Sequence, residues 1–337
     1  MIVSPPAQAD PAVRPAEQGA SSASALAVSV VVCAYADDRW TALQAAVESV
    51  LLQTSPAHEL IIVIDHNETL LDRARRRWPA VCVLANEEQR GLSGARNTGV
   101  RHATGEIVAF LDDDARADGA WLAVLASAYA DTSVIGTGGL ARADWPGGRA
   151  GWFPSEFDWV VGCSYRGLPR DRAAVRNPIG ANMSFRRDAV LAVGGFAHGL
   201  GRVGRVPLGC EETELAIRVR RAHPGSVVLH LPDACVDHLV TEQRATWSYF
   251  RSRCWAEGLS KALVTARVGA DEALGSERSY ATRTLPAGVL RGIGDAARGD
   301  LLGLARAGAI VAGLAVTAAG YLRGRLALAA PVAEPAR

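Results

Sequence analysis

The sequence predicts an α/β domain built around a mostly parallel β-sheet, and three observations support this prediction. Between residues 28 and 138, short apolar runs alternate with segments whose apolar residues recur at helical spacing. The apolar runs are continuous, as strands buried on both faces require. Polar residues follow several runs directly, at the sheet edge where α/β proteins bind ligands.

The elements follow one another in a regular order. Strands are predicted over 28–33, 60–64, 81–84, 107–111 and 134–138. Helices are predicted over 40–53, 70–78, 94–103 and 121–129. Residues 140–180 are rich in aromatic residues, glycine and proline, residues 181–240 return to mixed helix and strand, and 244–266 is predicted as a helix. The segment 227–231 is predicted as a strand that ends in a turn at Pro232.

Composition excludes some classes of function. The chain has 337 residues, with 36 basic against 35 acidic side chains, and this balance gives no support to a nucleic-acid partner. The apolar fraction of 49% is that of a folded protein. Residues 1–25 are rich in Ala, Pro, Ser and Gln without apolar periodicity, so we expect a disordered tail there.

The cysteines and the N-terminal region indicate whether the protein is cytoplasmic or secreted. The six cysteines are widely spaced, so we expect reduced, mostly buried thiols in a cytoplasmic protein; they are Cys33, Cys82, Cys163, Cys210, Cys235 and Cys254. The apolar stretch 23–36 imitates a secretory signal, but Arg14 is balanced by Asp10 and Glu17, so no positively charged region precedes it. We favour a buried strand.

The segment 301–322 is strongly apolar apart from Arg306. The 16 uncharged residues between Arg306 and Arg323 would form a helix of roughly 24 Å, short of a ~30 Å hydrocarbon core. It is therefore a buried helix, a short span that begins at Leu301 with Arg306 reaching the interface, or a helix lying in the interface. We favour membrane contact, because four arginines suit anionic head groups: Arg291, Arg298, Arg323 and Arg325.

Three carboxylates, Asp112, Asp113 and Asp114, follow the strand 107–111 directly. Their mutual repulsion would be relieved by Mg²⁺ or Mn²⁺, which prefer oxygen ligands. The alternative is a solvated turn with helix-capping aspartates. His238 is either a structural histidine or a further metal ligand.

Two other segments suggest nucleotide contacts. Asp65 ends the strand 60–64, where it could accept from a ribose or a base, or form an Asx turn. The stretch 90–97 combines Arg90, Gly91 and Arg96 at a helix start, which suits phosphate, although a plain loop fits equally well. It has neither the P-loop nor the dinucleotide-fold spacing.

Glu211 and Glu212 precede an amphipathic helix. They either cap that helix, since its dipole stabilises carboxylates, or provide a general base that deprotonates a hydroxyl group.

Seven segments, in order, resemble family 2 glycosyltransferases with the GT-A fold. They are the opening strand with Ala34 and Tyr35, the segment 48–54, the strand ending at Asp65, Gly91 with Ala95-Arg96-Asn97-Thr98-Gly99, Phe110-Leu111-Asp112-Asp113-Asp114, Gly180 to Arg187 followed by Gly194-Gly195-Phe196, and Glu211 to Arg218. Together they span residues 28–240. The segments Asp65-His66-Asn67 and Gly91 to Asn97 resemble those of the subgroup of glucosyl-dolichyl-phosphate glucuronosyltransferases.

The resemblance implies an inverting transferase that uses Mg²⁺ or Mn²⁺ and a nucleotide-sugar donor, with a UDP-sugar favoured. It implies metal binding by Asp112, Asp114 and His238, and a catalytic base at Glu212. The implied donor-binding residues are Ala34, Tyr35, Asp65, Arg90, Gly91, Arg96, Asp112, Asp113, Gly180, Ala181, Asn182 and Glu211. The acceptor would be a glycan or a lipid-linked sugar, and we expect the aromatic stretch 152–165 to form its wall or to pack in the core.

The resemblance also divides the chain. We expect a glycosyltransferase domain over 26–240, with a nucleotide-binding half (26–140) and an acceptor half (141–240), and a C-terminal helical region over 241–337 that touches the inner face of the plasma membrane. Two departures from the family are His66 after Asp65 and Glu212 where an Asp is usual. The chain has no Q-x-x-R-W element, so we expect one sugar per encounter.

Two other functions remain open at this point. One is a non-catalytic nucleotide-sugar sensor or scaffold that retains the fold. The other is a nucleotidyltransferase, which needs a glycine-rich basic loop after the first strand; this chain has Ala34-Tyr35-Ala36-Asp37-Asp38 there.

Overall fold

The computed structural model describes residues 26–202 and 208–329, and the tail predicted over 1–25 lies outside these ranges. The strands are β1 Val28–Ala34, β2 Glu59–Ile64, β3 Cys82–Ala85, β4 Ile107–Asp112, β5 Ala115–Ala117, β6 Val134–Asp144, β7 Ala173–Val175, β8 Asn182–Arg186 and β9 Val227–Leu239. The helices are α1 Trp40–Leu51, α2 Glu68–Arg77, α3 Leu92–His102, α4 Trp121–Ser127, α5 Arg187–Ala192, α6 Glu211–Ala222, α7 Trp247–Val268, α8 Ala270–Ser279, α9 Leu285–Ala297 and α10 Leu302–Ala329.

The strands form one sheet in the order β3-β2-β1-β4-β8-β6-β9-β5, and β7 pairs with β9. The first four strands in this order are parallel, β8 runs antiparallel to its neighbours β4 and β6, and β6 pairs with β9 in parallel. The predicted α/β class is confirmed.

Alternate side chains of the central strands enter two cores. Val30 and Val32 pack with α1, α2 and α4 on one face, whereas Val31 packs with α3, α5 and α6 on the other. Because both faces are covered, every position of β1 must be apolar or small, and the strand appears in the sequence as an unbroken apolar run.

Strand β9 differs from its prediction, because it continues through Pro232 to Leu239. Its pairing with β6 shifts register between Gly139 and Leu140, and Pro232 lies in this irregular stretch. A bulge tolerates proline because no ladder hydrogen bond is required there. The continued strand brings His238 opposite Ala115, next to Asp114.

The C-terminal helices pack tightly on one another. A Cβ atom added to Gly258 of α7 would lie 2.1 Å from the carbonyl oxygen of Thr317 in α10, and one added to Gly320 would lie 2.4 Å from that of Trp255. The two helices therefore meet backbone to backbone.

Helix α10 has 28 residues and is the one helix within the described ranges that is long and apolar enough to cross a membrane; 28% of its most apolar stretch is buried. Arg306 pairs with Asp295 (3.0 Å) and Asp300 (2.6 Å) at the turn between α9 and α10. Large apolar side chains are exposed on α9, α10 and the turn between them: Leu290, Ile293, Leu301, Leu302, Leu304, Val311, Leu314, Leu322, Leu326 and Leu328.

All six cysteines are free thiols, but only Cys163, Cys210 and Cys254 are buried. The expectation of mostly buried thiols therefore holds for half of them. Cys82 is exposed because it begins β3, the edge strand of the sheet.

Candidate functional site

A cleft with an empty volume of about 1110 Å³ lies at the carboxyl ends of β1, β2 and β4. Tyr35, Asp65 and Asp112 reach it from these strand ends. The loop before β8, the start of α6 and the end of β9 complete its lining; they contribute Gly180, Ala181, Glu211, Glu212 and His238. Elements distant in sequence thus converge at one edge of the sheet, as parallel topology requires.

Asp112, Asp114 and His238 form a group that could hold a metal ion, since one ligand atom from each lies within 4.8 Å of the others. His238 Nε2 is 3.2 Å from Asp114 Oδ1 and 4.0 Å from Asp112 Oδ2. Two carboxylates and one imidazole are a donor set that Mn²⁺ accepts readily and Mg²⁺ tolerates.

Asp114 lies among cations. Arg39 donates to its Oδ2 atom, and Arg244 lies 3.0 Å from the same atom. Burial opposes ionisation, but the charges of His238, Arg244 and Arg39 outweigh it and hold the pKa of Asp114 well below its usual range. Burial likewise opposes the charge on His238, yet Asp114 raises the pKa of the imidazole to about 10.

Asp113 lines the same cleft and is buried. Burial and the neighbouring carboxylates raise its pKa to about 7, although the charge of Arg39, 2.8 Å away, acts in the opposite direction. Its Oδ2 atom is buried and has no hydrogen-bond partner among the residues that the structure describes.

Arg96 links the two halves of the site. Its fully buried guanidinium donates to Glu211 Oε1 (2.7 Å), Asp112 Oδ1 (3.2 Å) and the carbonyl oxygen of Gly180 (2.9 Å). The rings of Phe110 and Phe196 lie near it, with centroids at 5.8 and 5.4 Å. The sequence suggested a phosphate contact, but three of the donors on Arg96 already have partners within the protein.

Glu212 stands in the first turn of α6, beside Glu211. Burial and the charge of Glu211 raise the pKa of Glu212 to about 7. The preceding residue, Cys210, has a φ of 69°. This left-handed conformation is costly for a residue with a side chain. It is supported by α7, where Cys210 Sγ donates to Glu257 Oε1 (3.2 Å) and Ser260 Oγ accepts from Gly209 (3.1 Å).

Asp65 organises the glycine-rich turn. Its Oδ2 atom accepts from the backbone of Gly91 (3.0 Å), and its Oδ1 atom accepts from Asn86 Nδ2 (2.7 Å). Gly91 has a φ of 135°, which a side chain would disfavour. Asp65 therefore lines the cleft and also fixes this turn, whereas Arg90 is exposed outside the cleft.

Two predicted donor residues have different placements. Ala34 lines the cleft. Asn182 is fully buried behind it, where its amide donates to the carbonyl oxygens of Ala234 (2.8 Å) and Leu140 (3.2 Å) and accepts from Trp121 Nε1 (2.8 Å). Asn182 thus joins strands, and it is not among the described residues that line the cleft.

Sequence reasoning missed four arginines and one tyrosine of the cleft, namely Arg39, Arg202, Arg244, Arg253 and Tyr249. Arg39 follows β1 by a few residues, and its basic charge near a strand end was the one signal in the sequence. The other four come from segments without a diagnostic spacing. Their arrival at the cleft depends on how the C-terminal helices pack.

The aromatic stretch 152–165 divides between core and cleft. Phe153 and Phe157 are buried and pack against Phe250 of α7. Trp159 lines the cleft, together with the backbone segment that ends at Cys163. Core packing therefore accounts for much of this stretch.

The sequence of this chain is similar to those of known glycosyltransferases and of a polysaccharide biosynthesis protein. The model of the family described as Glycosyl transferase family 2 matches residues 29–194. The glucosyl-dolichyl phosphate glucuronosyltransferase of Haloferax volcanii is 36% identical over 241 residues, which cover 70% of this chain and 77% of that protein. The succinoglycan biosynthesis protein ExoM of Rhizobium meliloti is 26% identical over 242 residues, 69% and 73% of the two chains.

Among solved structures, the chain resembles the mannosyltransferase PcManGT from Pyrobaculum calidifontis in complex with GDP-Man and Mn²⁺. The TM-score is 0.56 at 21% identity, with 87% of each chain covered. It also resembles GalNAc-T7 with UDP, GalNAc and Mn²⁺, at a TM-score of 0.50 and 18% identity, covering 76% of this chain and 54% of that one. At these identities the likeness concerns the fold.

Proposed function

The chain belongs to glycosyl transferase family 2, and we propose that it transfers one sugar, with inversion, from a nucleotide-sugar to a lipid-linked acceptor. Its GT-A fold and its identity as a glycosyltransferase with a nucleotide-sugar donor agree with the sequence predictions. Inversion, the acceptor class and the residue roles below are the proposed part.

One observation carries the proposal. The Asp112–Asp114–His238 group and the carboxylate of Glu212 line the same cleft, and Arg96 connects their supporting elements. Direct displacement at an anomeric carbon needs a charged leaving-group site and a base within a single cavity.

The donor would occupy the strand-end side of this cleft. Tyr35 and Asp65 are placed to contact the base and ribose, and a UDP-sugar is our favoured donor. Arg39, Arg202 and Arg244 bring guanidinium groups to the same cavity, where their paired N–H groups suit a diphosphate. Arg90 lies outside the cleft and Arg96 is almost fully buried, whereas these three arginines are partly exposed, so the proposed diphosphate contacts come from them.

Asp112, Asp114 and His238 would hold Mn²⁺ or Mg²⁺, and their donor set fits either ion. When bound, the ion neutralises charge that develops on the departing diphosphate. The arginines near Asp114 would share this work, since they place positive charge beside the same carboxylate.

Glu212 would accept the proton of the acceptor hydroxyl. The hydroxyl oxygen then bonds to the anomeric carbon while the bond from that carbon to the diphosphate oxygen breaks, and the nucleoside diphosphate leaves. A base with a pKa near the working pH is effective in this role, and that of Glu212 is about 7.

The acceptor and its location follow from two features. The Haloferax volcanii relative is named for a glucosyl-dolichyl phosphate substrate. The exposed leucines of α9 and α10 would lie against a membrane surface, with Arg298, Arg323 and Arg325 exposed nearby for anionic head groups. Since Arg306 is paired with Asp295 and Asp300, we propose that α10 lies in the interface of the cytoplasmic leaflet and does not cross it.

The test is release of nucleoside diphosphate from a panel of UDP-, GDP- and dTDP-sugars with Mn²⁺, with and without membrane lipid extract. We expect metal-dependent release from one donor, stimulated by the extract and lost in Asp114→Ala and Glu212→Gln. Glu48→Gln, an exposed carboxylate on α1, is the matched control and should keep full activity.

Two results would contradict the proposal. Nucleotide binding without release from any donor would favour a non-catalytic sensor. Release of pyrophosphate in place of nucleoside diphosphate would indicate nucleotidyl transfer.

A further inference from the structure

A second cleft, with an empty volume of about 1600 Å³, lies beside the donor cleft. Trp159, Ile179 and Arg253 line both clefts, so the two cavities share a wall. The second cleft is lined by the segment 157–179 on one side and by α7, α8, α10, the π-helical segment Tyr280–Thr284 and the first residue of α9 on the other.

The second cleft reaches the residue that follows the carboxylate to which we assign the base role. Glu212 lines the donor cleft, and the next residue, Thr213, lines the second. Both belong to the first turn of α6. A ligand seated in the second cleft therefore contacts the same helical turn that carries Glu212.

The lining combines aromatic faces with a partly buried charge network. The aromatic residues are Phe157, Trp159, Tyr165 and Tyr280. Lys261 lies 2.6 Å from Glu277 and 3.5 Å from Glu257, and Arg176 donates two hydrogen bonds to Glu277, of 2.6 and 2.8 Å. Ring faces for apolar contact beside fixed carboxylates and cations for hydroxyl groups suit a saccharide.

One wall of the second cleft is continuous with the apolar surface of the protein. Leu314 and Thr317 of α10 line the cleft, and Leu314 is also exposed. Val311, in the preceding turn of the same helix, belongs to the exposed apolar set. A molecule with a polar glycosyl group and an apolar tail would contact both surfaces at once.

We infer that the second cleft is the acceptor site and that it takes the glycosyl group of an amphipathic glycoside, whose apolar tail lies along α10. This inference rests on the proposed transferase function, because the glycosyl group in the second cleft would carry the hydroxyl group that Glu212 deprotonates.

Two neighbouring positions provide a matched pair of variants. Ala281 lines the second cleft, whereas Thr282 is exposed outside it. Ala281→Trp adds bulk to the cavity, and Thr282→Trp adds the same bulk to the surface. Ser276→Trp, an exposed position of α8 that lines the cleft, is a second filling variant that leaves the core untouched. Thermal unfolding of each variant checks that the fold is retained.

The probe is octyl β-D-glucopyranoside with a photoreactive diazirine in its octyl chain, used below its micelle concentration with UDP and Mn²⁺ present. Because the diazirine is in the tail, we expect crosslinks in peptides of α10 that contain Val311, Leu314 and Thr317. Labelling should fall at least tenfold in Ala281→Trp and Ser276→Trp and stay unchanged in Thr282→Trp. An excess of n-octanol should not displace the probe, since the glycosyl group is recognised.

Labelling that is unchanged in both filling variants, or that n-octanol removes completely, would overturn the inference. Binding of UDP with Mn²⁺, measured calorimetrically in the same variants, should stay at the wild-type value. Failure of every donor to release nucleoside diphosphate would refute the transferase proposal, and the labelling pattern would still report separately on the second cleft.

Discussion

Arg96 and Glu211 form a buried ion pair of 2.7 Å, and the same guanidinium reaches Asp112 at 3.2 Å. A single cation thus ties the start of α6, which carries Glu212, to the end of β4, which carries the aspartates.

Replacing Arg96 should therefore disturb stability and catalysis together. Arg96→Met leaves Glu211 buried without its partner, a loss that costs about 3–5 kcal/mol for buried pairs. We expect a lower midpoint in urea unfolding and weaker metal-stimulated donor turnover. Arg101→Met, on the exposed side of α3, is the control and should change stability by less than about 1 kcal/mol. Equal unfolding midpoints for the two variants would refute a bridging role for Arg96.

The pH dependence of transfer should report on Glu212. Its pKa is raised to about 7, so the ionised form that accepts a proton is lost as the pH falls below that value. We expect kcat to rise about tenfold per pH unit below pH 7 and to level off above it. The profile should be measured at saturating donor and Mn²⁺ in the wild type and in Asp113→Asn, because the pKa of Asp113 is also raised to about 7. A rate that is constant from pH 5.5 to 8 would show that another group is the base.

Asp114→Asn should cost stability as well as metal binding. The variant leaves the charges of His238, Arg39 and Arg244 without their shared carboxylate, and we expect a loss of about 3–5 kcal/mol in the free energy of unfolding. Asp118→Asn removes a half-exposed partner of Arg142 and should cost less than about 1 kcal/mol. The comparison requires urea unfolding without added metal. If Asp114→Asn were as stable as Asp118→Asn, the cations around Asp114 would not depend on it.

Two glycines of α10 make a test of helix packing. A Cβ atom at Gly320 would meet the carbonyl oxygen of Trp255 at 2.4 Å, whereas one at Gly308 has nothing within 4 Å. We expect Gly320→Ala to destabilise by about 1–3 kcal/mol and Gly308→Ala to stabilise by up to about 1 kcal/mol. Thermal unfolding distinguishes the two. Stabilisation by both would mean that α7 and α10 are not in backbone contact.

The exposed leucines of α10 should control membrane binding. The double variant Leu322→Ser with Leu326→Ser removes two side chains whose burial is each worth up to about 1.5–3 kcal/mol. Its partition into phosphatidylcholine vesicles containing phosphatidylglycerol, measured by sedimentation, should fall at least tenfold. Leu52→Ser, an exposed leucine just after α1, should leave partition unchanged. Equal partition of all three proteins would place membrane contact elsewhere.

The central strands were predictable because burial on both faces leaves an unbroken apolar run in the sequence. The predicted strands 28–33, 60–64 and 107–111 lie within one residue of β1, β2 and β4. β5 was not predicted, because a strand of three residues is too short to show a pattern of apolar and polar residues. The second half of β9 was missed because Pro232 normally ends a strand, and only its pairing with β6 shows that a bulge accommodates it.

The site was predictable in part for a similar reason. Carboxylates at strand ends are visible in sequence, and Asp112, Asp114 and His238 do converge. The placement of Asn182 behind the cleft was not visible, because its partners Ala234 and Leu140 are remote in sequence. Nor was the approach of Arg244 to Asp114 visible, because it depends on tertiary packing alone.

The backbone contact between α7 and α10 has one more consequence. Tyr249 and Arg253, near the start of α7, line the donor cleft, while Gly258, further along the same helix, is fixed against α10. On our proposal that α10 lies in the membrane interface, α7 would fix the height of the donor cleft above the bilayer. The enzyme would then be selective for acceptors in which the distance between the lipid anchor and the reactive hydroxyl group matches this height.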